Sequence, residues 1–183
     1  LYVEGNLSKF TKPDWIPTEG YGIIILDELA SAPMLVQAAL YQLILDRELG
    51  GVKLGDDWYI VAAGNLATDK AVGGRLSTAL ANRFIHVNLL SNLDDTIAYA
   101  TKMDWNPMVP SFLRFRPDAL MDFDPKRKED AFATPRTWEK TSKILNGKPP
   151  INIRYEILEG TIGAGIASEL EGFMRVYEQL PDI

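Results

Sequence analysis

Two acids at the end of an apolar run, Asp27-Glu28 after Ile23-Ile24-Ile25-Leu26, are the residues best placed to do chemistry. A run of branched and long aliphatics reads as a buried strand, and in an open α/β sheet ligands sit beyond the carboxyl ends of the strands. Carboxylates delivered there face a crevice rather than a core. The two acids can divide a metal-assisted hydrolysis between them. Asp27 suits a magnesium ion, which takes hard oxygen ligands and keeps some of its own waters, and Glu28 suits the group that polarises an attacking water. The same pair could instead serve only to favour the amino end of the next helix, where the helix dipole attracts negative charge.

Three more side chains have types and places that fit such a site. A second apolar run, Trp58 to Ala63, leads into Gly64-Asn65. By itself a Gly-Asn pair is a turn signal, since both residues tolerate left-handed backbone angles. Beside the acidic strand, however, the Asn65 amide could hydrogen-bond the same water as Glu28. Arg83 falls where a short helix, Ser77 to Asn82, gives way to an expected third strand, Phe84 to Asn88. A cation there can be a simple partner for the helix dipole. Arg136 follows Thr134-Pro135, a good N-cap and a good first helical residue, so its charge opposes the dipole of the helix it opens. A bound anion would balance that charge, and so would an acidic neighbour. His86 alternates with apolar residues and reads as structural or surface.

These residues need a scaffold, and the pattern around them supplies strand, helix, strand. Residues 1 to 20 show no sustained period and read as a loop. Ser31 and Pro33 mark a helix start, and Leu35, Val36, Ala39, Leu40, Leu43 and Ile44 recur at helical spacing, with a stop expected near Gly50-Gly51. Leu54 to Asp57 is a polar turn into the second strand. The order predicts the parallel sheet of an α/β core through residue 90, followed by an all-helical subdomain over 91–183. In that second part, Asn92 or Asp94 caps a helix to about Met103, Pro107 opens one to about Phe115, Thr134 caps a third, and a last one runs from about Ala164 to Leu180. Its predicted packed face is Ile166, Leu170, Phe173, Met174 and Tyr177. Lys126 to Asp130 reads as a solvated charge run. Gly160 to Gly165 has the wrong glycine order for a dinucleotide loop and reads as a helix entry.

Composition narrows the chemistry. The 183 residues are 46% hydrophobic and 24% charged, the balance of a globular protein with a real core. With no cysteine and one histidine, disulfides and thiolate metal sites are excluded, and a histidine metal cluster or a Ser-His-Asp triad is not expected. Carboxylates, amides and arginines remain. A net charge of −6 is a poor match for a phosphate backbone, so nucleic acid is not an expected partner. No apolar stretch is long enough to span a bilayer and the start lacks the features of a secretory signal, which leads us to expect a cytoplasmic protein.

Taken in order, Ile23 to Glu28, Ala63-Gly64-Asn65, Leu80 to Phe84 and Thr134-Pro135-Arg136 resemble the Walker B, sensor 1, arginine-finger and sensor 2 motifs of an AAA+ ATPase. The wording around Leu40 to Leu43, Asp46 to Gly50 and Pro135 to Glu139 is similar to the MoxR-like branch, including its phage and bacterial members. The resemblance implies a partial P-loop NTPase core with a helical lid, ATP and magnesium at their junction, and assembly into a ring, often a hexamer. It implies that Asp27 supports magnesium, Glu28 activates water, Asn65 orients that water, Arg136 reaches the phosphates from the lid, and Arg83 reaches a neighbour's site. Arg75 is a weaker candidate for that last role. Val52 to Trp58 becomes a possible hairpin insertion, and a partner with a von Willebrand factor A type domain is hinted at.

One departure is large: no G-x-x-x-x-G-K-[ST] loop occurs in the 183 residues. Without that backbone cradle and its lysine, the chain alone should bind ATP poorly and hydrolyse none. Two expectations compete. A first residue that is not Met and an otherwise intact motif set favour the carboxyl-terminal part of a longer ATPase, with an incomplete sheet and an exposed edge. The rival is a non-catalytic scaffold or regulatory subunit of a ring.

Overall fold

The computed structural model describes residues 2–4, 7–9, 13–65, 76–124, 130–177 and 179. By its contacts the chain divides into two compact units, Leu1–Val87 and Asn88–Ile183. It is a mixed α/β protein, with a small parallel sheet in the first unit and a bundle of helices in the second. No helix among the described residues is long and apolar enough to cross a membrane.

The first unit starts with an antiparallel pair, β1 (Tyr2–Glu4) and β2 (Leu7–Lys9), in a stretch expected to be loop. Pairs this short give too little alternation to be read from sequence. Next come β3 (Gly22–Leu26), α1 (Met34–Asp46), β4 (Glu48–Leu49), β5 (Val52–Lys53) and β6 (Trp58–Ala62). Strands β3 and β6 pair in parallel, Gly22 opposite Trp58 and Leu26 opposite Ala62, with α1 between them in the chain. Gly22 is required by that register, because a Cβ there would meet the Trp58 ring at 2.6 Å.

Strand alternation splits the sheet into two unlike faces. Ile24, Trp58 and Ile60 turn inward onto Ile16, Leu43 and Leu54, the buried centre of this unit. Ile23, Ile25, Tyr59 and Val61 turn outward and are exposed. The helix α1 also differs from its predicted packing: Leu35 and Val36 are exposed, and the inward residues are Gln37, Leu40, Tyr41 and Leu43.

The helix ends at Asp46, earlier than Gly50, because Arg47 turns left-handed at φ 57°. Its guanidinium donates to the carbonyls of Gly55 at 2.6 Å and Trp58 at 2.8 Å, which ties the following hairpin to the start of β6. That hairpin is β4 and β5, turning at Gly50-Gly51, both with positive φ, so it lies earlier than the Val52 to Trp58 insertion implied by resemblance. After the four-residue helix α2 (Thr78–Ala81), the predicted strand Phe84–Asn88 is absent. A strand exists only with a ladder partner, and none among the described residues adjoins this segment, leaving Ile85 94% exposed.

The second unit holds α3 (Leu93–Lys102), α4 (Met108–Phe115), a 3₁₀ turn at Pro117–Leu120, α5 (Pro135–Asn146), α6 (Ile151–Ile162) and α7 (Ala164–Tyr177). Local caps set the starts. The Asn92 side chain accepts from the Asp95 N–H at 3.1 Å, and Thr134 and Thr137 form a reciprocal capping box on α5. Helix α6 carries no clear sequence signal, because it lacks a side-chain cap at its start and a marked apolar stripe. Gly163, at φ 86°, separates it from α7; the helix-entry reading of Gly160 to Gly165 holds only at that residue, because Gly160 to Ile162 form the last turn of α6 and Gly165 already lies in α7. Trp138 is fully buried, packs on Phe112 and donates its indole N–H to the Ala119 carbonyl at 2.8 Å. Buried Glu171 receives Arg154 through two hydrogen bonds of 2.6 and 2.8 Å, fixing α6 to α7. Lys126 to Glu129 of the charge run, and Arg75, lie outside the described residues.

Candidate functional site

Parallel pairing brings the ends of β3 and β6 to one level, and the Ala63 N–H extends the ladder by donating to the Leu26 carbonyl at 3.0 Å. Asp27-Glu28 and Gly64-Asn65 therefore leave the same edge of the sheet. Glu28 is left-handed, φ 52° and ψ 35°, a conformation that costs a non-glycine residue about 1–3 kcal/mol and concentrates at functional sites. Its carbonyl accepts from the Ser31 N–H at 2.8 Å, closing a 3₁₀ turn over Leu29–Ser31.

Both oxygens of the Glu28 carboxylate are engaged. Asn65 Nδ2 donates to Oε1 at 3.2 Å, and Ser31 Oγ donates to Oε2 at 3.2 Å. The acid and the amide singled out from sequence thus meet directly. Asp27, next in the chain, is exposed. Among the described residues no group of three or more His, Cys, Asp or Glu could encage a metal ion. One or two exposed carboxylates still fit magnesium, which keeps several waters and takes the rest of its ligands from substrate phosphates.

Arg83 is held differently. Its Nη1 donates to the Ala79 carbonyl at the end of α2, and its Cζ lies 4.4 Å from the centre of the Tyr41 ring, a cation–π contact. Within this chain it is a helix-end cation stacked on an aromatic face, and its side chain remains exposed. His86 contacts the Ala81 carbonyl through Nε2 at 2.8 Å and closes the same helix end, a structural role.

In the second unit, Arg136 is the second residue of α5 and exposed, on the wall of an open cavity of about 410 Å³. Asn92, Asp95, Tyr99, Trp105 and Glu139 share that wall. Tyr99 and Trp105 meet edge to face at 6.0 Å. Among the described residues no acid pairs with Arg136, and its neighbour Glu139 receives Lys143 Nζ at 2.6 Å, a hydrogen bond that, with the attraction of the carboxylate, holds the Lys143 ammonium above its ordinary pKa. The cationic side chain at the helix mouth remains available to an anion. A larger concavity of about 500 Å³ beside the β4–β5 hairpin contains none of the predicted site residues.

Three side chains at the acidic edge were not assigned a role from sequence: Ser31, Gln37 and Tyr41. From sequence Ser31 signals only a helix start. Gln37 and Tyr41 share the helical spacing of Leu40 and Ile44, and a lone amide on such a stripe marks a buried polar group that must find partners. No protein-family model, curated protein or solved structure matches this chain.

Proposed function

We propose that this chain is the magnesium- and water-handling part of a nucleotide triphosphatase of the AAA+ type, with a P-loop NTPase core, that works in a ring and uses ATP to remodel a macromolecular partner. The observation that carries the reading is the 3.2 Å hydrogen bond from Asn65 to Glu28 across the carboxyl ends of adjacent parallel strands. A structural turn asparagine has no need to meet the one acid suited to activate water. In this reading Asp27 supports magnesium, Glu28 polarises the attacking water and Asn65 orients it. Arg136 receives phosphate oxygens at the mouth of α5, and Arg83 leaves its Ala79 and Tyr41 contacts to serve a neighbouring subunit. Such a cation is worth about a thousandfold or more in rate where it stabilises developing charge.

The phosphate cradle itself must come from outside these residues, since no G-x-x-x-x-G-K-[ST] loop is among them. The bare outer face of the β3–β6 pair fits a sheet that has further layers in the whole assembly. That same missing loop favours one rival, a non-catalytic ring subunit that retains the fold for assembly.

Manganese, which shares magnesium's preference for oxygen, tests the metal half directly. Titrated into the isotopically labelled full chain, it should broaden the resonances of Asp27, Glu28 and Asn65 first, and Asp27→Asn should abolish the effect. Broadening spread evenly over the surface acids would overturn the assignment. The chain alone should show no ATP turnover.

A further inference from the structure

Gln37 is the one fully polar side chain buried in the first unit among the described residues, at 2% exposure, and nothing in the hydrolytic reading uses it. A buried amide without partners costs free energy, so its contacts say what it is for. Nε2 donates to the Ala32 carbonyl at 3.0 Å and lies 3.5 Å from the Ala30 carbonyl, both in the turn that follows Glu28. On the other side, Oε1 accepts from the Ser77 N–H at 3.4 Å. Ser77 is the N-cap of α2, its Oγ accepting from the Leu80 N–H at 3.2 Å. The helix it starts ends at Ala81, and Arg83 follows one residue after its C-cap.

Tyr41 lies one turn further along α1, on the same side, and its ring carries the Arg83 guanidinium. One helix face therefore grips both ends of the α2 segment, Ser77 through an amide and Arg83 through a ring. The same amide grips the Glu28 turn. We propose that Gln37 and Tyr41 are positioning residues that hold Arg83 in register with the turn carrying Glu28. The consequence is specific: a shift of the Glu28 turn is passed to the base of the Arg83 helix by a rigid amide, while Tyr41 decides whether the guanidinium is stored or released. The functional meaning of this linkage rests on the hydrolytic reading of Glu28 and Arg83; the linkage itself does not.

The test uses the full chain, with amide exchange at Ser77 and the Arg83 Nε–H resonance as readouts. Gln37→Met keeps volume and removes both hydrogen-bonding groups. It should speed Ser77 exchange about tenfold, the effect of losing roughly one hydrogen bond, and shift Arg83 Nε–H. Gln37→Glu retains the acceptor and should restore Ser77 protection while leaving the Ala30–Ala32 amides perturbed. Tyr41→Leu should release the ring-current shift of Arg83 without speeding Ser77. A folded Gln37→Met chain with Ser77 and Arg83 unchanged overturns the proposal. Should that variant not fold, the wild-type chain decides: Gln37 side-chain amide protons must be protected from exchange and close to the Ser77 N–H, and fast exchange overturns the proposal equally. None of these readouts uses metal or nucleotide, so this linkage and the manganese result can fail separately.

Discussion

The two units of this chain are stabilised by different means. Among the described residues of the helical unit, seventeen buried apolar residues form one cluster that includes Trp138 and Phe112. Among those of the α/β unit the corresponding cluster has three, Ile16, Leu43 and Leu54. The smaller core is supplemented by side chains that bond backbone: Arg47 to two carbonyls around the hairpin, Gln37 to the acid turn and α2, Trp58 to the Glu19 carbonyl. Hydrogen bonds are directional where apolar packing is not, so a thin core can still hold a few groups in fixed geometry. The predicted hydrolytic acids belong to this thinner unit, and local opening free energies follow core density.

Removing the centre of the larger core is the most severe test of that contrast. Trp138→Ala deletes a fully buried ring and strands the Ala119 carbonyl, and should cost the helical unit about 3–5 kcal/mol, read from urea titration of its amide resonances. A cost near 1 kcal/mol would mean that the cluster is loose. Leu43→Ala is the matching change in the α/β unit. Most of the residues in its cluster are only partly buried and can shift into the space, so the expected cost is about 2 kcal/mol, the low end for such truncations. Equal costs for the two variants would erase the distinction.

The same contrast explains what could be read from sequence. Features set by neighbouring residues were legible: the Thr134-Pro135 cap, a cap at Asn92 or Asp94, which is Asn92, and the Ile23 to Leu26 strand all depend on local backbone chemistry, although the expected burial of that strand fails at Ile23 and Ile25. That Asn65 comes to the same edge as Glu28 followed from one further step, the parallel order of two strands; the direct hydrogen bond between them, in place of a shared water, did not. What depends on absent or distant partners was not legible. Phe84 to Asn88 has strand composition, but composition supplies no ladder. The inward face of α1 was misplaced because apolar Leu35 and Val36 outscore Gln37 in any count of hydrophobic periodicity, although Gln37 is the buried one. Arg83 was legible as a helix-end cation, and its seat on Tyr41 required the tertiary fold.

The exposed face of the sheet gives the smallest expected effect and separates two accounts of the thin core. Parallel sheets are normally covered on both faces, yet Ile25 is 67% exposed beside Ile23, Tyr59 and Val61. If that face meets only water in the free chain, Ile25→Thr removes apolar surface that contributes little to stability. Thr is also β-branched and suits a strand, so the change should stay within about 0.5 kcal/mol and raise solubility. If another copy or another layer covers the face in solution, the same substitution should cost about 1 kcal/mol or more and alter the sedimentation of the chain. The first outcome keeps the α/β unit as a small core held by hydrogen bonds. The second makes its core larger than the chain's own residues provide, and the difference between the units becomes one of where their core residues come from.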